Sequence, residues 1–310
     1  MNMTERQLRL FVTTARLGNV SRASEALHVS QPALTRAIAV FEQQMGAALF
    51  SRTTRRLVLT PEGEAFLPTA KRLLQDLEDA GRLFTQHSQG IKGHLRIAVG
   101  SSFGSIVLPG AIARFQAAHP DVRVSVLDDN SEGISRRVRM SDVDLGIGSP
   151  VGDVDALRCQ RLLRAPLGLL APPHCYTLTE ADARGQPRLP LLKESDDTSI
   201  MQLLRMHGSE LLAPMARGVE VSSLSIQLAL AAEGVGVAVL SALGASHPSA
   251  QAMRFVPLQP LVQRELFLMR RRDRPPSPAL RAFEEMVWRA LPQARLHAAV
   301  ELDAAPAPLD

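Results

Sequence analysis

The run Ser30-Gln31-Pro32-Ala33-Leu34-Thr35-Arg36 sets an amide, two hydroxyls and a guanidinium within two helical turns, directly after a tight turn at His28-Val29. An amide can pair with adenine, and a guanidinium with guanine or a phosphate. Gln31, Thr35 and Arg36 are therefore candidate readers of base edges. Ser30 can cap the helix and Pro32 is tolerated in its first turn, which leaves free amides suited to a phosphate. Arg52, Arg55 and Arg56, crowded with threonines in SRTTRRLVLT, would grip the backbone or minor groove. A second set of polar residues stands where strands give way to helices: Ser101 and Ser102 with Phe103 beside them, then Ser131, Ser149, Thr198-Ser199 and Ser222-Ser223. Neutral donors at such ends suit a small anion such as a carboxylate. The plainer role of each is to cap a helix.

Positioning the first set requires short helices. Thr4 can cap one in which Leu8, Phe11, Val12 and Ala15 share a face, ended by Gly18-Asn19. Ser21 can cap a second and joins the candidate DNA contacts. Ser30 opens a third with a Leu34, Ile38 and Phe41 stripe, closed at Gly46. Two helices around a tight turn, the second offering polar side chains at its start, form a helix-turn-helix. The hairpin that follows acts as a wing. Thr60-Pro61-Glu62 starts a longer helix, in which Phe66, Ala70, Leu73, Leu77, Ala80 and Phe84 recur at alternate spacings of four and three. Such a seam needs a partner, most simply the same helix of another subunit, with Phe66, Leu73, Leu77 and Phe84 as its dimerising residues; packing on its own domain is the alternative. Pro68 should bend this helix, and Gln86–Gly93 is a candidate hinge.

Beyond Gly93 the texture becomes α/β. Strand-like runs at 95–99, 122–127, 143–147, 167–170, 219–221, 235–240, 254–258 and 265–269 alternate with helical segments, the last near 278–290. Alternation of this kind predicts a mainly parallel sheet. The tail ELDAAPAPLD is Ala- and Pro-rich, which predicts disorder.

The head, from LRLFVTTARLGNVSRASEAL to TPEGEAFL, resembles that of LysR-type transcriptional regulators. The matching pieces are Ala23-Ser24 with Leu27, the run Ser30 to Thr35, Leu49-Phe50 with Arg52, and Thr60-Pro61-Glu62-Gly63. Their order and spacing make the match specific, and Ser24, Thr35 and Phe41 are mild departures. The resemblance continues thinly through GHLRIAVGSS, SDVDLGIGS, VSSLSIQLALAAEGVGVAVLS and LVQRELFLMRRRDRPPSPALRAF. It implies an α+β multidomain chain: a winged helix-turn-helix at 1–60, a linker helix at 61–89, and a two-lobed α/β effector domain at 90–292 similar to periplasmic binding proteins. Lobe I would comprise about 93–162 and 266–292, lobe II about 163–265, and the disordered tail 293–310. Crossings between lobes would fall near Leu162–Ala165 and Val262–Glu265. The implied partners are promoter DNA, a small-molecule effector, further copies of the chain as dimer or tetramer, and RNA polymerase.

The composition agrees with a soluble regulator. Residues 1–60 carry eight arginines against three glutamates, while the rest of the chain is nearly balanced within an overall charge of +4. A basic head on a neutral body suits an anionic partner for the head alone. The N-terminus is charged where an export signal is apolar, and the most apolar window, Leu228–Leu243, is too short for a bilayer and is interrupted by Glu233, Gly234 and Gly236. A cytoplasmic protein without membrane contact is expected. Cys159 and Cys175 do not form a disulfide framework, and eight histidines fall into no metal-binding spacing, so neither metal nor cofactor is expected. Two rivals remain. Gly100-Ser101-Ser102-Phe103-Gly104 fits a hydrolase nucleophile turn at Ser102, with Asp144 and His247 downstream, but it follows a helical basic head instead of several strands. A non-specific nucleoid protein would need the head but not a body of this size.

Overall fold

A computed structural model describes residues 3–52, 57–85, 91–185, 187–188 and 190–305. The chain folds as two compact units, one within the first 90 residues and one formed by the α/β body.

In the first unit, α1 (Glu5–Leu17) opens on a capping box between Thr4 and Gln7 and closes at Gly18, φ +58°. Asn19, not Ser21, caps α2 (Val20–Ala26): its side chain accepts the Arg22 amide at 3.1 Å, and Ser21 is the second residue of the helix. Both residue types can cap, but asparagine follows the glycine stop directly and takes the position first. His28 turns the chain at φ +53°, and α3 (Gln31–Met45) begins at the Ser30 cap, with Ser30 Oγ accepting the Ala33 amide at 3.3 Å. β1 (Phe50–Arg52) and β2 (Leu57–Leu59) pair antiparallel. α4 (Pro61–Thr85) runs through Pro68. Phe11 organises this core, its ring 6.2, 5.5 and 5.4 Å from those of Phe41, Phe50 and Phe66.

The seam of α4 differs from expectation. Ala70 is fully buried, and Phe66 and Leu73 pack against the same head core, whereas Leu77 stays about half exposed. The first half of the seam thus serves its own unit, because α1 lies alongside and satisfies it. Phe84's side chain, Arg52's side chain, all of Arg55 and Arg56, and most of the hinge (86–90) lie outside the described residues.

The second unit is a continuous mixed sheet. β3 (Gly93–Val99), α5 (Ser101–Ile106), α6 (Leu108–Ala118), β4 (Val122–Asp128), α7 (Ser131–Arg139) and β5 (Leu145–Gly148) build one lobe. β6 (Leu157–Ala171) crosses to the other, which holds α8 (Glu180–Ala183), β7 (Leu191–Glu194), α9 (Ser199–Met206), α10 (Leu212–Met215), β8 (Val219–Val221), α11 (Leu224–Ala232), β9 (Val237–Ser241) and β10 (Arg254–Pro257). β11 (Gln263–Arg271) returns to α12 (Pro278–Ala290), which packs on α6 through an edge contact of Phe283 with Phe115 at 5.2 Å. The strand order is β4-β3-β5-β11-β6-β9-β7-β8. β3 is parallel to β4 and β5, and β7 to β8 and β9, while the crossing strands β6 and β11 pair antiparallel with each other and with their neighbours. The sheet is therefore parallel within each lobe and antiparallel at the joint.

The tail also departs from expectation. β12 (Glu301–Leu302) pairs with β6, Asp303 Oδ2 accepts from Arg161 Nε at 2.8 Å, and Leu296, Ala299 and Val300 pack on the core of the first lobe. Residues 294–305 are ordered by partners distant in sequence, to which composition is blind; 306–310 lie outside the described residues.

Candidate nucleic-acid interface and ligand cleft

In the head, the stripe Leu34, Ile38 and Phe41 turns into the core. The opposite face of α3 then necessarily carries Gln31, Pro32 and Arg36, all exposed, with Thr35 half-buried at its border and Val40 exposed further along. The face begins at the Ser30 cap, so amides and side chains of the first turn are presented together. Glu42, on the far end of α3, accepts the Leu49 and Phe50 amides, each at 2.8 Å, and so fixes the start of the hairpin to this helix.

In the second unit a cleft of about 280 Å³ opens beyond the carboxyl ends of β3, β4, β7 and β8. Of the residues expected there, Ser101, Ser102, Ser131, Thr198, Ser199 and Ser222 line it together. Phe103 does not: it is fully buried in the core of the first lobe, because α5 turns its apolar side chain inward. Ser149 is also absent from the lining; its hydroxyl donates to the Glu265 carbonyl at 2.7 Å and ties the end of β5 to β11. Some hydroxyls in the lining are committed. Thr198 accepts the Met201 amide as the α9 cap, and Ser101 donates to Asp128 at 3.0 Å.

The charged residues of this cleft were not among those expected from sequence. Arg264 is only 9% exposed, and its Nε has no hydrogen-bond partner. Burial pulls its guanidinium below the ordinary value, and the charge of Glu194 opposes this. Burial in turn pushes the Glu194 carboxyl up, against the field of Arg264 and a hydrogen bond from Thr198. Asp129 pairs with Arg137 at 2.6 Å, and Asp197 accepts from Asn130 at 2.6 Å. A signal for Arg264 did exist. On β11 it shares the inward side with Leu266 and Leu268, so strict two-residue alternation puts a cation where an aliphatic residue belongs.

The hydrolase partners are engaged elsewhere. Asp144 pairs with Arg96 at 3.1 Å, and His247 Nδ1 accepts the Ser249 amide. Both cysteines are free thiols; burial pushes Cys159 up from its ordinary value, which disfavours the reactive thiolate. Among the described residues no cluster of three or more His, Cys, Asp or Glu could hold a metal ion, and no helix is long and apolar enough to cross a membrane.

Two family models match the chain: the bacterial regulatory helix-turn-helix protein of the lysR family over residues 5–64, and the LysR substrate binding domain over 88–292. Among curated proteins, an uncharacterized HTH-type transcriptional regulator, YfeR of Shigella flexneri, is 28% identical over 93% of this chain and 94% of its own length. The SDS degradation transcriptional activation protein of a Pseudomonas strain is 37% identical over 49% of each chain. Among solved structures, full-length OxyR from Pseudomonas aeruginosa is similar with a TM-score of 0.72 at 21% identity, covering 99% of this chain and 100% of that one. Full-length CbnR complexed with its target DNA gives 0.61 at 22% identity, covering 93% and 100%.

Proposed function

Since this chain belongs to the LysR family of transcriptional regulators, we propose that the exposed face of α3 enters the major groove of a promoter and that a small molecule closing the cleft of the second unit switches its effect. The protein is a DNA-binding regulator and not an enzyme. Gln31, Thr35 and Arg36 read bases, and Ser21, Ser30 and Pro32 border the same contact. Arg52, Arg55 and Arg56 hold phosphates from the wing. The observation that carries this reading is the division of α3 into a buried Leu34-Ile38-Phe41 stripe and an exposed Gln31-Pro32-Arg36 face that starts at a capped N-terminus.

Ser101, Ser102, Ser131, Thr198, Ser199 and Ser222 contact the effector, and an acidic group on it meets Arg264. Copies of the chain associate through the outer half of α4, and the complex works in the cytoplasm, where promoter and RNA polymerase are found. Ligand-induced closure shifts the population between two DNA-bound geometries.

The test is a gel-shift series on the chain's own upstream intergenic fragment across salt concentrations. Arg36→Ala should weaken binding by about 1–3 kcal/mol, and lower the slope of log affinity against log salt by about one if it meets a phosphate. Unchanged affinity at every salt concentration removes α3 from the interface.

A further inference from the structure

Given the effector cleft proposed above, we infer that its occupant is a small polar zwitterion of the amino-acid type, with its carboxylate on Arg264 and its ammonium toward the carboxylates of Asp128 and Asp197. Two independent features of the lining lead there. The first is Arg264, a nearly buried cation whose Nε finds no partner. Glu194 answers part of that charge, and a carboxylate delivered by a ligand answers the rest. The N-termini of α7, α9 and α11 border the same space and favour the same sign.

The second feature excludes a simple anion. Four carboxylates line the cleft, those of Asp128, Asp129, Glu194 and Asp197, against the one guanidinium. Only Asp129 has a short ion pair, to Arg137. Asp128 and Asp197 accept from the neutral Ser101 hydroxyl and Asn130 amide, which leave their charge in place. A carboxylate entering alone would meet that field, whereas a ligand that also carries an ammonium answers both charges. The spacing agrees. Arg264 Nη2 stands 3.9 Å from the Cβ position at Gly100, and Asp128 is bonded to the hydroxyl of the next residue, Ser101. Both anchors therefore border the turn that follows β3, where one small ligand can reach the two of them. The lining also holds a single large apolar side chain, Leu224, so an aromatic or aliphatic acid would have little to bury against.

The experiment is calorimetric titration of the full-length protein with each common L-amino acid, each beside its deaminated acid and its decarboxylated amine. At least one polar amino acid should bind, with both half-molecules at least about tenfold weaker, the worth of one charged contact. Asp128→Asn, at an exposed position that should not endanger folding, should weaken that amino acid about tenfold while the deaminated acid binds no more weakly than before. Arg264→Gln should abolish binding of both. Equal binding of acid and amino acid, or binding of none of the amino acids, overturns the inference. Either result with promoter binding intact leaves the regulator reading standing; loss of promoter binding by the unmodified protein is what would fell that reading.

Discussion

Gly63 shows how a single missing side chain sets the geometry of the head. It lies in the first turn of α4, where an added Cβ would stand 2.2 Å from the Leu49 carbonyl oxygen and 2.9 Å from Leu59 Cδ2. The carbonyl cannot swing away: it accepts the Thr60 amide at 3.1 Å, while Glu42 holds the Leu49 amide from the other side. Thr60 completes the clamp, donating to the Ala48 carbonyl at 2.7 Å and accepting the Gly63 amide at 3.0 Å. The run Thr60-Pro61-Glu62-Gly63 is thus a cap, a helix start and a close approach in four residues. Gly63→Ala should destabilise the head by about 1–3 kcal/mol, as overpacking does. Chemical denaturation followed by circular dichroism checks this, and an unchanged midpoint would mean that α4 can retreat without cost. The effect is a packing one, because φ at Gly63 is not among the left-handed values of the chain.

At the scale of elements, what could be read from sequence was whatever local chemistry decides. The caps at Thr4 and Ser30, the stops at Gly18 and Gly46, and the inward stripe of α3 are short-range effects, and they delimit the helices that form and support the DNA-contact face. The long crossing strand β6 was legible only over 167–170, because Arg158, Arg161, Arg164 and Pro166 interrupt its apolar pattern. Its arginines are answered from afar, Arg161 by Asp303 and Glu265, and Arg164 by Glu265. The clamp at residues 294–305 was hidden for the same reason. In the cleft, hydroxyls at strand ends could be anticipated from position, whereas Arg264 and Glu194 come together only when β11 and β7 share one sheet. The clamp has a pH signature. His297 sets its ring edge-on to Phe255 at 5.0 Å, its Nδ1 accepts the Ala299 amide, and burial holds it below its ordinary value. The unfolded segment therefore binds a proton more readily than the folded one, so stability rises with pH through that window. It is lost as pH falls below about 6.5, the ordinary histidine value, toward the lowered one. Hydrogen exchange, corrected for intrinsic rates, should show residues 296–303 opening more often at about pH 5.5 than at about pH 7.5. His297→Gln should flatten that difference; equal protection at both values would show that the ring does not govern the clamp.

For the molecule as a whole, the question is which part of α4 is left for another copy of the chain. A heptad seam says that a partner exists without saying which surface supplies it. Here the head takes Phe66, Ala70 and Leu73 for itself, and Leu77, 49% exposed, is the first seam position with apolar surface to spare. Substitutions at the two leucines should therefore act on different properties. Leu73→Glu pushes a charge into the head's own packing and should lower the unfolding temperature, with promoter binding lost as a consequence. Leu77→Glu should leave the unfolding temperature of the head nearly unchanged yet shift the sedimentation coefficient toward that of a single chain, because like charges would face each other across a symmetric contact. Promoter affinity should fall with it, since two heads bound as one unit gain from each other's proximity and single heads do not. If Leu77→Glu sediments as the unmodified protein does, the outer half of α4 is not the dimer contact, and self-association must run through the α/β body instead.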